Sequence, residues 1–416
     1  MILMSPLFLL RREKYASGFR ERLGNYPEFK HDERKVIWLH CVSVGETNAA
    51  RPLVDALIEE FPSHRVIIST TTKTGQELAK KIFADEADAV FYLPFDWKFS
   101  VRRALRNFQP AMILLMETEI WPRLIHEAKR SGSHVAIVNG RLSEKSFRNY
   151  SKVSSFVRRI FEQIDLALMQ GENDAERIRS LGIDASKIRV TGNIKFDISA
   201  DESDSEVTEY FRKRFGIDGE KPLIVAASTH EPEEQWVVKS LNALKEGSVR
   251  LIVVPRHPER FNAVAQLLVD SGRSFARRSD PETENDRAAE VLLLDSVGEL
   301  RAIYPLADIV FVGGSLIPHG GQSILEPAAA GKAIVTGFFT HNFSAAISTF
   351  LNRDALIQLR ELENWEVVDE LYPTLLGLVK DQDRRKELGR NAAVVISANR
   401  GATARTIEFL SEIAVS

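Results

Sequence analysis

The sequence predicts an α/β protein with two domains, each built on a parallel β-sheet that is covered by helices on both faces. Short apolar runs of strand length alternate with helical segments from residue 36 to residue 190, and the alternation resumes after residue 210. This alternation is typical of parallel sheets with crossover helices. A chain of 416 residues is also too long for a single hydrophobic core, which indicates two domains.

The N-terminal half carries the first set of predicted strands. These are Val36–Val42, Arg65–Ser69, Ala89–Leu93, Met112–Met116, Val135–Val138, Leu166–Met169 and Ile188–Val190. Predicted helices between them include Thr47–Phe61, Gln76–Phe83 and a segment around Trp121–Lys129. We assign residues 1–25 to a short membrane-proximal segment and residues 26–198 to the first domain.

The segment Ser199–Glu209 is acidic and rich in serine and lacks an apolar period, so we predict an interdomain linker. The second domain then spans residues 210–416, with mostly helical structure after Asp369. Its predicted strands are Leu223–Ala227, Arg250–Val254, Val291–Leu294, Ile309–Val312 and Ala333–Val335. The alternation by itself fits any two-domain α/β protein and does not decide the function.

The composition restricts the class of protein. A hydrophobic content of 44% and a charged content of 27% are ordinary for a globular protein. The single cysteine, Cys41, excludes a disulfide framework and a cysteine-based zinc site. Because Cys41 lies inside a predicted strand, we expect a buried structural thiol rather than a nucleophile.

The net charge of −3 conceals an uneven distribution. Residues 1–200 contain 31 Lys and Arg against 25 Asp and Glu, whereas the remainder contains 24 against 33. A basic half facing an anionic partner is one interpretation, and unselected scatter is the other.

The N-terminus begins with an apolar run, Met1–Leu10, that is far shorter than the ~20 residues needed to span a bilayer. No small-residue cleavage site is evident, so a signal peptide is not expected. An interfacial anchor fits better, and a wrongly assigned start codon is an alternative explanation of the short run. The run is followed by basic residues at Arg11, Arg12, Lys14, Arg20 and Arg22.

A glycine-rich stretch, Val312–Pro327, joins a predicted strand to a predicted helix over Ser323–Ala330. Such a turn lets backbone N–H groups approach a phosphate near a helix N-terminus, although a tight structural turn is the alternative. Glu326, in the first turn of the helix, can accept hydrogen bonds from two ribose hydroxyls. The stretch supplies further candidate groups at Gly314, Ser315, His319, Gly320, Gly321, Gln322 and Ser323.

Glu46 ends the motif Ser43-Val44-Gly45-Glu46 directly after a predicted strand. Loops at the carboxyl ends of parallel strands line the ligand crevice of such sheets. A carboxylate there can take a proton from an attacking sugar hydroxyl, and Gly45 allows a close approach. The alternative is a structural glutamate that the helix dipole favours at a helix N-terminus.

Other polar groups follow neighbouring predicted strands. Thr71, Thr72 and Gly75 can bind an anion or a sugar, or else cap a helix. Glu117 and Glu119 can orient an acceptor sugar or hold an arginine, or else cap the helix that is predicted to start at Ile120.

The N-terminal half also has candidate basic groups. The spacing of Arg141, Lys145, Arg148 and Lys152 predicts one basic helical face, suited to phosphate or anionic lipid or merely solvated. Lys195 follows Gly192-Asn193 at the predicted domain junction, where it can face an anionic donor.

In the second half, the segment Pro255-Arg256-His257 follows a predicted strand. Arg256 matches the geometry of a phosphate, and His257 can hydrogen-bond to it, unless the segment is only a surface turn. Ser228 and His230 follow another strand end. The histidines lack ligand spacing, so we predict no metal site.

Several of these stretches resemble the 3-deoxy-D-manno-octulosonic acid (Kdo) transferases, which build the inner core of lipopolysaccharide. The resemblance covers nearly the whole chain. It rests, besides the glycine-rich stretch, on residues 40–46, 117–122, 139–143, 192–197 and 255–260. Ser323 departs from the family, which usually has Asn there, and the usual hydrophobic N-terminal anchor is short in this chain.

The resemblance implies a GT-B-type glycosyltransferase with two Rossmann-like domains and a cleft between them. It implies transfer of Kdo from CMP-Kdo to a lipid A precursor (lipid IVA) with inversion, and Glu46 as the catalytic base. The N-terminal half is then expected to bind the acceptor, and the C-terminal half to bind CMP-Kdo through Arg256 and the glycine-rich stretch. No cofactor, metal or nucleic acid is expected.

The resemblance further implies peripheral contact with the anionic cytoplasmic face of the inner membrane. Two alternatives remain at this point. One is a GT-B glycosyltransferase that uses another nucleotide sugar, such as a UDP-sugar, which the motif Ser43–Glu46 disfavours. The other is a non-catalytic module that binds nucleotide sugar or lipid, which an intact Glu46 disfavours.

Overall fold

The computed structural model of the chain describes residues 17–197, 202–243 and 247–414. It divides into two compact units, of which one runs to Asp197 and resumes at Asn399, and the other lies between these points. Each unit is a parallel sheet with helices packed against it, which confirms the predicted pair of Rossmann-like α/β domains.

The sheet of the first unit has, within the described residues, seven parallel strands in the order β3-β2-β1-β4-β5-β6-β7. Its central strands are apolar along their whole length because both faces are covered by helices, and Ile37, Trp38 and Leu39 are fully buried. The strands are β1 (Lys35–Cys41), β2 (His64–Thr70), β3 (Ala89–Tyr92), β4 (Pro110–Met116), β5 (His134–Gly140), β6 (Leu166–Met169) and β7 (Ile188–Val190).

The helices of the first unit connect these strands, and the last of them comes from the C-terminal end of the chain. They are α1 (Phe19–Arg22), α2 (Val44–Glu60), α3 (Lys73–Ile82), α4 (Lys98–Phe108), α5 (Pro122–Arg130), α6 (Glu144–Ser151), α7 (Ser154–Phe161), α8 (Glu172–Ser180) and α17 (Ala402–Ala414). Short 3-10 turns at Ala185–Lys187 and Ile194–Phe196 flank β7.

The second unit also has seven parallel strands in its described part, in the order β10-β11-β9-β8-β12-β13-β14. They are β8 (Leu223–Thr229), β9 (Arg250–Pro255), β10 (Phe275–Arg277), β11 (Val291–Leu293), β12 (Ile309–Val312), β13 (Ala333–Thr336) and β14 (Ile357–Gln358). Its helices are α9 (Glu202–Arg214), α10 (Glu233–Ala243), α11 (Phe261–Asp270), α12 (Leu300–Ile303), α13 (Leu325–Ala329), α14 (Ser344–Leu351), α15 (Val367–Lys380) and α16 (Gln382–Asn399).

Both sheets reverse their strand order at one place, between β1 and β4 in the first unit and between β8 and β12 in the second. In open α/β sheets, ligands bind outside the carboxyl ends of the strands at such a reversal point. Glu46 lies in the first turn of the helix after β1, Glu117 lies in the loop after β4, and the loops after β8 and β12 carry His230 and Gly314. The topology therefore places the sequence-predicted candidates where the fold offers a crevice.

The predicted linker over residues 199–209 is wrong from residue 202 onward, where the structure has α9. The acidic residues that suggested a linker lie at the N-terminal end of this helix, where the helix dipole favours negative charge. The apolar residues that hold the helix come later, and Phe211 is fully buried. Thr208 adds a buried hydrogen bond of 2.7 Å from its hydroxyl to the carbonyl of Ala302.

The prediction that all terminal helices belong to the second domain is wrong for α17, which packs against α2 in the first unit. Ile407 and Leu410 enter the core of that unit. The carboxylate of Asp197 accepts hydrogen bonds of 2.6 Å from the backbone N–H groups of Gly401 and Thr403. These bonds satisfy donors that a helix N-terminus leaves without intrahelical partners.

The apolar run Met1–Leu10 and the bases Arg11, Arg12 and Lys14 lie outside the described residues. Arg22, which we grouped with those bases, is buried rather than part of a basic surface. Its guanidinium donates to the carbonyls of Thr71 at 2.6 Å and Ser17 at 3.0 Å. None of the helices in the described ranges combines the length and the apolar character that crossing a membrane requires.

Candidate functional site

Glu46 lies in the first turn of α2, which begins three residues earlier than predicted, at Val44. Ser43 is the N-cap residue of this helix, and its hydroxyl donates to one carboxylate oxygen of Glu46 at 3.0 Å. The other oxygen accepts the backbone N–H of Val42 at 2.8 Å. These bonds fix the carboxylate at the carboxyl end of β1, and Gly45 lies beside it in the same turn.

Burial raises the pKa of Glu46 from its ordinary value to about 7, and the negative charges of Glu117 and Glu119 act in the same direction. The side chain is only 8% exposed. The hydrogen bonds from Val42 and Ser43 oppose this shift, so the raised pKa follows from burial and from the two neighbouring glutamates. A pKa near 7 is the value that suits a general base at physiological pH.

Glu117 and Glu119 follow β4, across the reversal point from Glu46. Glu117 has a left-handed backbone conformation, with φ of 54°, and its N–H donates to the carbonyl of Val138 at 3.0 Å. Its carboxylate forms an ion pair with the ammonium of Lys195 at 2.8 Å. Lys195 therefore joins the acidic group around Glu46, so the predicted donor-facing lysine is paired within the first unit.

The capping alternative for Glu117 and Glu119 is wrong. Helix α5 begins at Pro122, and its free N–H groups are met by Asp96, which accepts from Arg123 at 2.9 Å and from Leu124 at 2.8 Å. The two glutamates are therefore not required to cap this helix.

The capping alternative holds for Thr72. Its hydroxyl accepts the backbone N–H of Gly75 at 3.1 Å at the start of α3. The neighbouring Thr71 is buried, and its hydroxyl has no hydrogen-bond partner among the described residues. Of these residues, Thr71 thus retains a polar group that a ligand or a water can satisfy.

Arg141 lies before α6 rather than on it, because α6 begins at Glu144. The predicted helical face formed by Arg141, Lys145, Arg148 and Lys152 is therefore wrong in its first member. The backbone N–H of Arg141 donates to the hydroxyl of Thr118 at 3.1 Å, and that hydroxyl donates to the Arg141 carbonyl. This pair links the loop after β5 to the loop after β4.

In the second unit, the glycine-rich stretch folds around a group that the sequence reasoning missed, the carboxylate of Glu233. It accepts hydrogen bonds from four backbone N–H groups, namely His230 at 3.0 Å, Gly314 at 2.7 Å, and Ser315 and Leu316 at 3.0 Å each. Burial raises the pKa of Glu233, and the four donors oppose the shift. The N–H groups of Gly314, Ser315 and Leu316 thus bind a protein carboxylate and do not face a ligand.

Glycine is required at the start of this stretch for two different reasons. A Cβ at Gly313 would lie 2.6 Å from the Ser228 carbonyl oxygen, so the close approach of the end of β8 to the loop after β12 requires glycine. Gly314 has a φ of 66°, which disfavours side chains. The side chains of His230, His319 and Gln322 surround Gly314 within 3.5 Å of where its Cβ would be.

The hydroxyl of Ser315 is used inside the protein, contrary to its predicted contact with a donor. It donates to the Val312 carbonyl at 2.5 Å and accepts the Gly337 N–H at 2.8 Å. The segment before α13 contains the second glycine pair, Gly320 and Gly321, and also Ser323. The Ser323 hydroxyl accepts the N–H of Leu325 at 3.4 Å. Glu326 lies in the first turn of α13, as predicted.

Three histidines meet beside this stretch. The His230 ring lies 4.2 Å from the His319 ring and 5.2 Å from the His257 ring, measured between centroids. His230 is buried, and neither of its ring nitrogens has a well-formed hydrogen bond in the described structure. Burial lowers its pKa to about 4, and the neighbouring His319, His257 and Arg256 add to the effect.

Arg256 and His257 are exposed at the end of β9, directly after the buried Pro255. The Arg256 backbone N–H donates to the Thr229 carbonyl at 2.9 Å, which ties this loop to the end of β8. Ser228 has a left-handed backbone with φ of 52° in that neighbouring strand end. The loops after β8 and β9 thus meet at the carboxyl edge of this sheet, beside the buried His230.

Two residues outside the predicted set also belong to these loops. Asn139 has a φ of 52°, accepts the Ile194 N–H at 3.1 Å, and leaves its buried amide nitrogen without a partner among the described residues. Glu233 follows His230 by three residues in a run of four acidic or proline residues. Its role depends on contacts with residues 314–316, which no local sequence signal reveals.

Comparisons with known proteins agree with the resemblance seen in the motifs. Residues 17–198 match the family profile described as 3-Deoxy-D-manno-octulosonic-acid transferase (kdotransferase). The 3-deoxy-D-manno-octulosonic acid transferase of Haemophilus influenzae is 34% identical over 419 aligned residues, covering 99% of this chain and 96% of that protein. The corresponding enzyme of Bordetella pertussis is 32% identical, covering 90% of this chain and 87% of that protein.

Solved structures with a similar fold include a glycosyltransferase from Rickettsia africae, with a TM-score of 0.58 and 13% identity over 92% of this chain and 99% of that one. A UDP-GlcNAc 2-epimerase from Neisseria meningitidis reaches a TM-score of 0.59 with 13% identity over 91% of this chain and 100% of that one. At such identity the likeness concerns the fold alone, and the two proteins have different activities. The full-length similarity to the Haemophilus and Bordetella enzymes is decisive, and the chain belongs to the 3-deoxy-D-manno-octulosonic acid transferase family.

Proposed function

We propose that the protein is an inverting glycosyltransferase that transfers Kdo from CMP-Kdo to a lipid A precursor in lipopolysaccharide biosynthesis. The observation that carries this proposal is Glu46, a buried carboxylate with a pKa of about 7 at the strand-order reversal of the first sheet, in a chain of the Kdo transferase family. Neither the fold nor the basic N-terminal half identifies the reaction without this residue.

In the proposed reaction, an acceptor sugar hydroxyl attacks the anomeric carbon of Kdo while Glu46 takes the hydroxyl proton. The new glycosidic C–O bond forms on the face opposite the breaking bond, which inverts the configuration, and CMP leaves with the electron pair of the bond to its phosphate oxygen. Glu117 and Glu119 support the basicity of Glu46 through their negative charge. The rest of the proposed acceptor side consists of Ser43, Gly45, Thr71, Thr72, Gly75, Arg141 and Lys195.

On the donor side, Arg256 and His257 face the phosphate of CMP, since guanidinium and imidazole groups suit an anion that gains charge on leaving. The ring nitrogens of His230, which have no well-formed hydrogen bond within the described residues, lie beside them. The segment Gly320–Ser323 offers backbone groups, and Glu326 accepts the ribose hydroxyls. Four further residues determine the shape of these loops, and the proposal does not require their side chains to contact the donor. They are Ser228, Pro255, Gly314 and Ser315.

The experiment that tests the function combines binding and turnover. Calorimetry is expected to show binding of CMP and not of UDP, and CMP release from CMP-Kdo is expected only when a lipid A precursor is present. Preference for UDP would point to a different nucleotide sugar. Binding of CMP-Kdo without CMP release in the presence of acceptor would point to a non-catalytic module.

The Arg256→Ala variant is expected to weaken CMP binding by about ten- to a hundredfold, because a hydrogen bond to a charged group is worth roughly 1.5–3 kcal/mol. Acceptor binding is expected to be unchanged. Calorimetry with CMP measures the loss, and Arg390→Ala, an exposed arginine on α16, is the matched control. Unchanged CMP affinity in Arg256→Ala would place the phosphate elsewhere.

We further propose that the protein acts as a peripheral protein at the cytoplasmic face of the inner membrane, where its lipid acceptor is exposed. Deletion of residues 1–12 is expected to weaken binding to anionic vesicles, and binding of the full chain is expected to fall with rising salt. Each base near an anionic surface contributes about 1 kcal/mol, which salt screens. Binding that persists at every salt concentration and needs detergent for release would contradict a peripheral attachment.

A further inference from the structure

Four aromatic side chains form a continuous row on the surface of the first unit: Phe19, Phe95, Trp97 and Phe99. Their ring centroids are 5.9 Å apart for the first pair, 4.9 Å for the second and 5.6 Å for the third. Phe19 is 46% exposed, Trp97 40% and Phe99 48%, whereas Phe95 is half-buried beneath them. A contiguous exposed group of large apolar side chains marks an interaction site more often than scattered single residues do.

The aromatic row is rigidly attached to the carboxyl edge of the first sheet. Phe95, Trp97 and Phe99 follow β3, and the backbone N–H of Phe95 donates to the carbonyl of Arg22 at 2.7 Å. Arg22 is held by the Thr71 carbonyl in the loop after β2. Helix α1, which carries Phe19, is therefore fixed to the loops after two neighbouring strands.

The charges around the aromatic row are basic. Arg20 is adjacent to Phe19, Lys98 lies between Trp97 and Phe99, and the Arg103 guanidinium lies 5.8 Å from the Phe99 ring; all three are exposed. The two acids that are close to these aromatic residues in the sequence have structural roles. Glu21 accepts the backbone N–H of Tyr92 at 2.8 Å, and Asp96 caps α5.

We propose that the aromatic row, together with Arg20, Lys98 and Arg103, is the surface that docks the protein on an anionic lipid bilayer. Trp and Phe rings with flanking Lys and Arg are the side chains that favour the headgroup region. In the sequence, the apolar run Met1–Leu10 and the bases Arg11, Arg12 and Lys14 come a few residues before Phe19.

The position of the row suits a lipid acceptor. The helix turn that carries Glu46 follows β1, which is two strands away from β3 at the same edge of the sheet. Two strand spacings amount to about 10 Å. A bilayer that contacts the row thus presents the sugar headgroup of an embedded lipid close to Glu46. This last step rests on the proposed function, whereas docking on the bilayer does not.

Flotation with vesicles of phosphatidylglycerol and phosphatidylethanolamine tests the surface without catalysis. The double variant Trp97→Ser/Phe99→Ser is expected to bind these vesicles roughly tenfold or more weakly, because membrane affinity scales with the inserted apolar area. Phe156→Ser/Trp365→Ser is the matched control, since these side chains are more exposed, at 62% and 76%, yet lie outside the row. The control is expected to bind as the wild type does.

The charge-reversal variant Arg20→Glu/Lys98→Glu alters only exposed side chains and gives a second test should the aromatic variant fold poorly. It is expected to lose affinity for anionic vesicles and to keep the weak affinity for phosphatidylcholine vesicles. Wild-type vesicle binding by both variants, with CMP binding intact, would overturn the proposal. A dimer that the aromatic variant converts to a monomer, with vesicle binding unchanged, would instead identify the row as a self-association surface and also overturn it.

A separate measurement distinguishes failure of this proposal from failure of the proposed function. With acceptor dispersed in detergent, the aromatic variant is expected to transfer Kdo at the wild-type rate, and with acceptor in vesicles at a rate reduced about tenfold, in line with its membrane affinity. Equal rates in vesicles would overturn the docking surface and leave the Kdo transferase activity standing. If the wild type transfers no Kdo either in detergent or in vesicles, the proposed function is wrong. Vesicle binding then remains the test of the docking surface.

Discussion

The Glu46→Gln variant is expected to fold, to bind CMP as the wild type does, and to lose turnover by about 10²–10⁴-fold, the usual contribution of a general base. The amide preserves the size of the side chain and can still accept the Val42 N–H, but it cannot take the proton of the acceptor hydroxyl. Steady-state CMP release in the presence of acceptor measures the loss. Turnover of half the wild-type value or more would exclude Glu46 as the base.

The pH dependence provides an independent signature. Since the base must be deprotonated, wild-type kcat/KM is expected to rise with pH to a plateau, with a midpoint near the Glu46 pKa of about 7. The residual activity of Glu46→Gln lacks this rise. A wild-type midpoint near 4.5, the ordinary value for glutamate, would contradict the burial seen in the structure.

The same pKa shift has a consequence for stability with a defined sign. Because the folded-state pKa of Glu46 lies above its unfolded value, the folded protein binds more protons between about pH 4.5 and 7, and stability falls as pH rises through this range. Glu46→Gln removes this penalty. We expect its free energy of unfolding to exceed that of the wild type by roughly 1–3 kcal/mol at pH 8.

At pH 4.5 the difference in unfolding free energy is expected to be small, because Glu46 is then protonated in the folded protein. Denaturant unfolding at the two pH values measures it. Glu60→Gln, at the exposed opposite end of α2, is the matched control and is expected to change neither turnover nor the pH dependence of stability. A destabilised Glu46→Gln at pH 8 would mean that the residue serves the helix rather than the reaction.

The Glu233→Ala variant is expected to lower the free energy of unfolding by roughly 2–4 kcal/mol, because it leaves four buried backbone N–H groups without an acceptor. It is also expected to weaken CMP binding more than tenfold, since the glycine-rich stretch and His230 lose the group that holds them together. Thermal or denaturant unfolding and calorimetry with CMP measure the two effects.

Two further variants test whether these effects come from the position of the Glu233 carboxylate or from the loss of any negative charge nearby. They are Glu233→Asp and Glu259→Ala. Glu259 is a highly exposed glutamate in the nearby loop after β9, and its replacement is expected to leave both stability and CMP affinity unchanged. Glu233→Asp keeps the charge but is one methylene shorter, so an intermediate effect on CMP affinity is expected. Wild-type CMP affinity in Glu233→Ala would separate the glycine-rich stretch from donor binding.

The sequence by itself determined the architecture and placed the candidate residues at the carboxyl ends of strands. Apolar runs on strands buried on both faces are a local signal, so β1, β6, β7 and β12 are found within one residue of their predicted ends. The strands that were missed, β10 and β14, are only three and two residues long and carry no comparable run. Because polar groups at the ends of parallel strands share one edge, strand positions were enough to bring the candidates together.

Other features depended on contacts between residues far apart in the chain, and only the tertiary structure decided them. Arg22 looks like a surface base but is buried against the loop after β2, and α17 returns to the first unit through the capping contacts of Asp197. The N–H groups of residues 314–316 look ready for a phosphate, yet Glu233, about 80 residues earlier, already accepts their hydrogen bonds. Sequence patterns that repeat every 2 or 3.6 residues indicate which face of a strand or helix is buried. The partner of a buried polar group depends instead on packing between distant residues, which a local pattern does not encode.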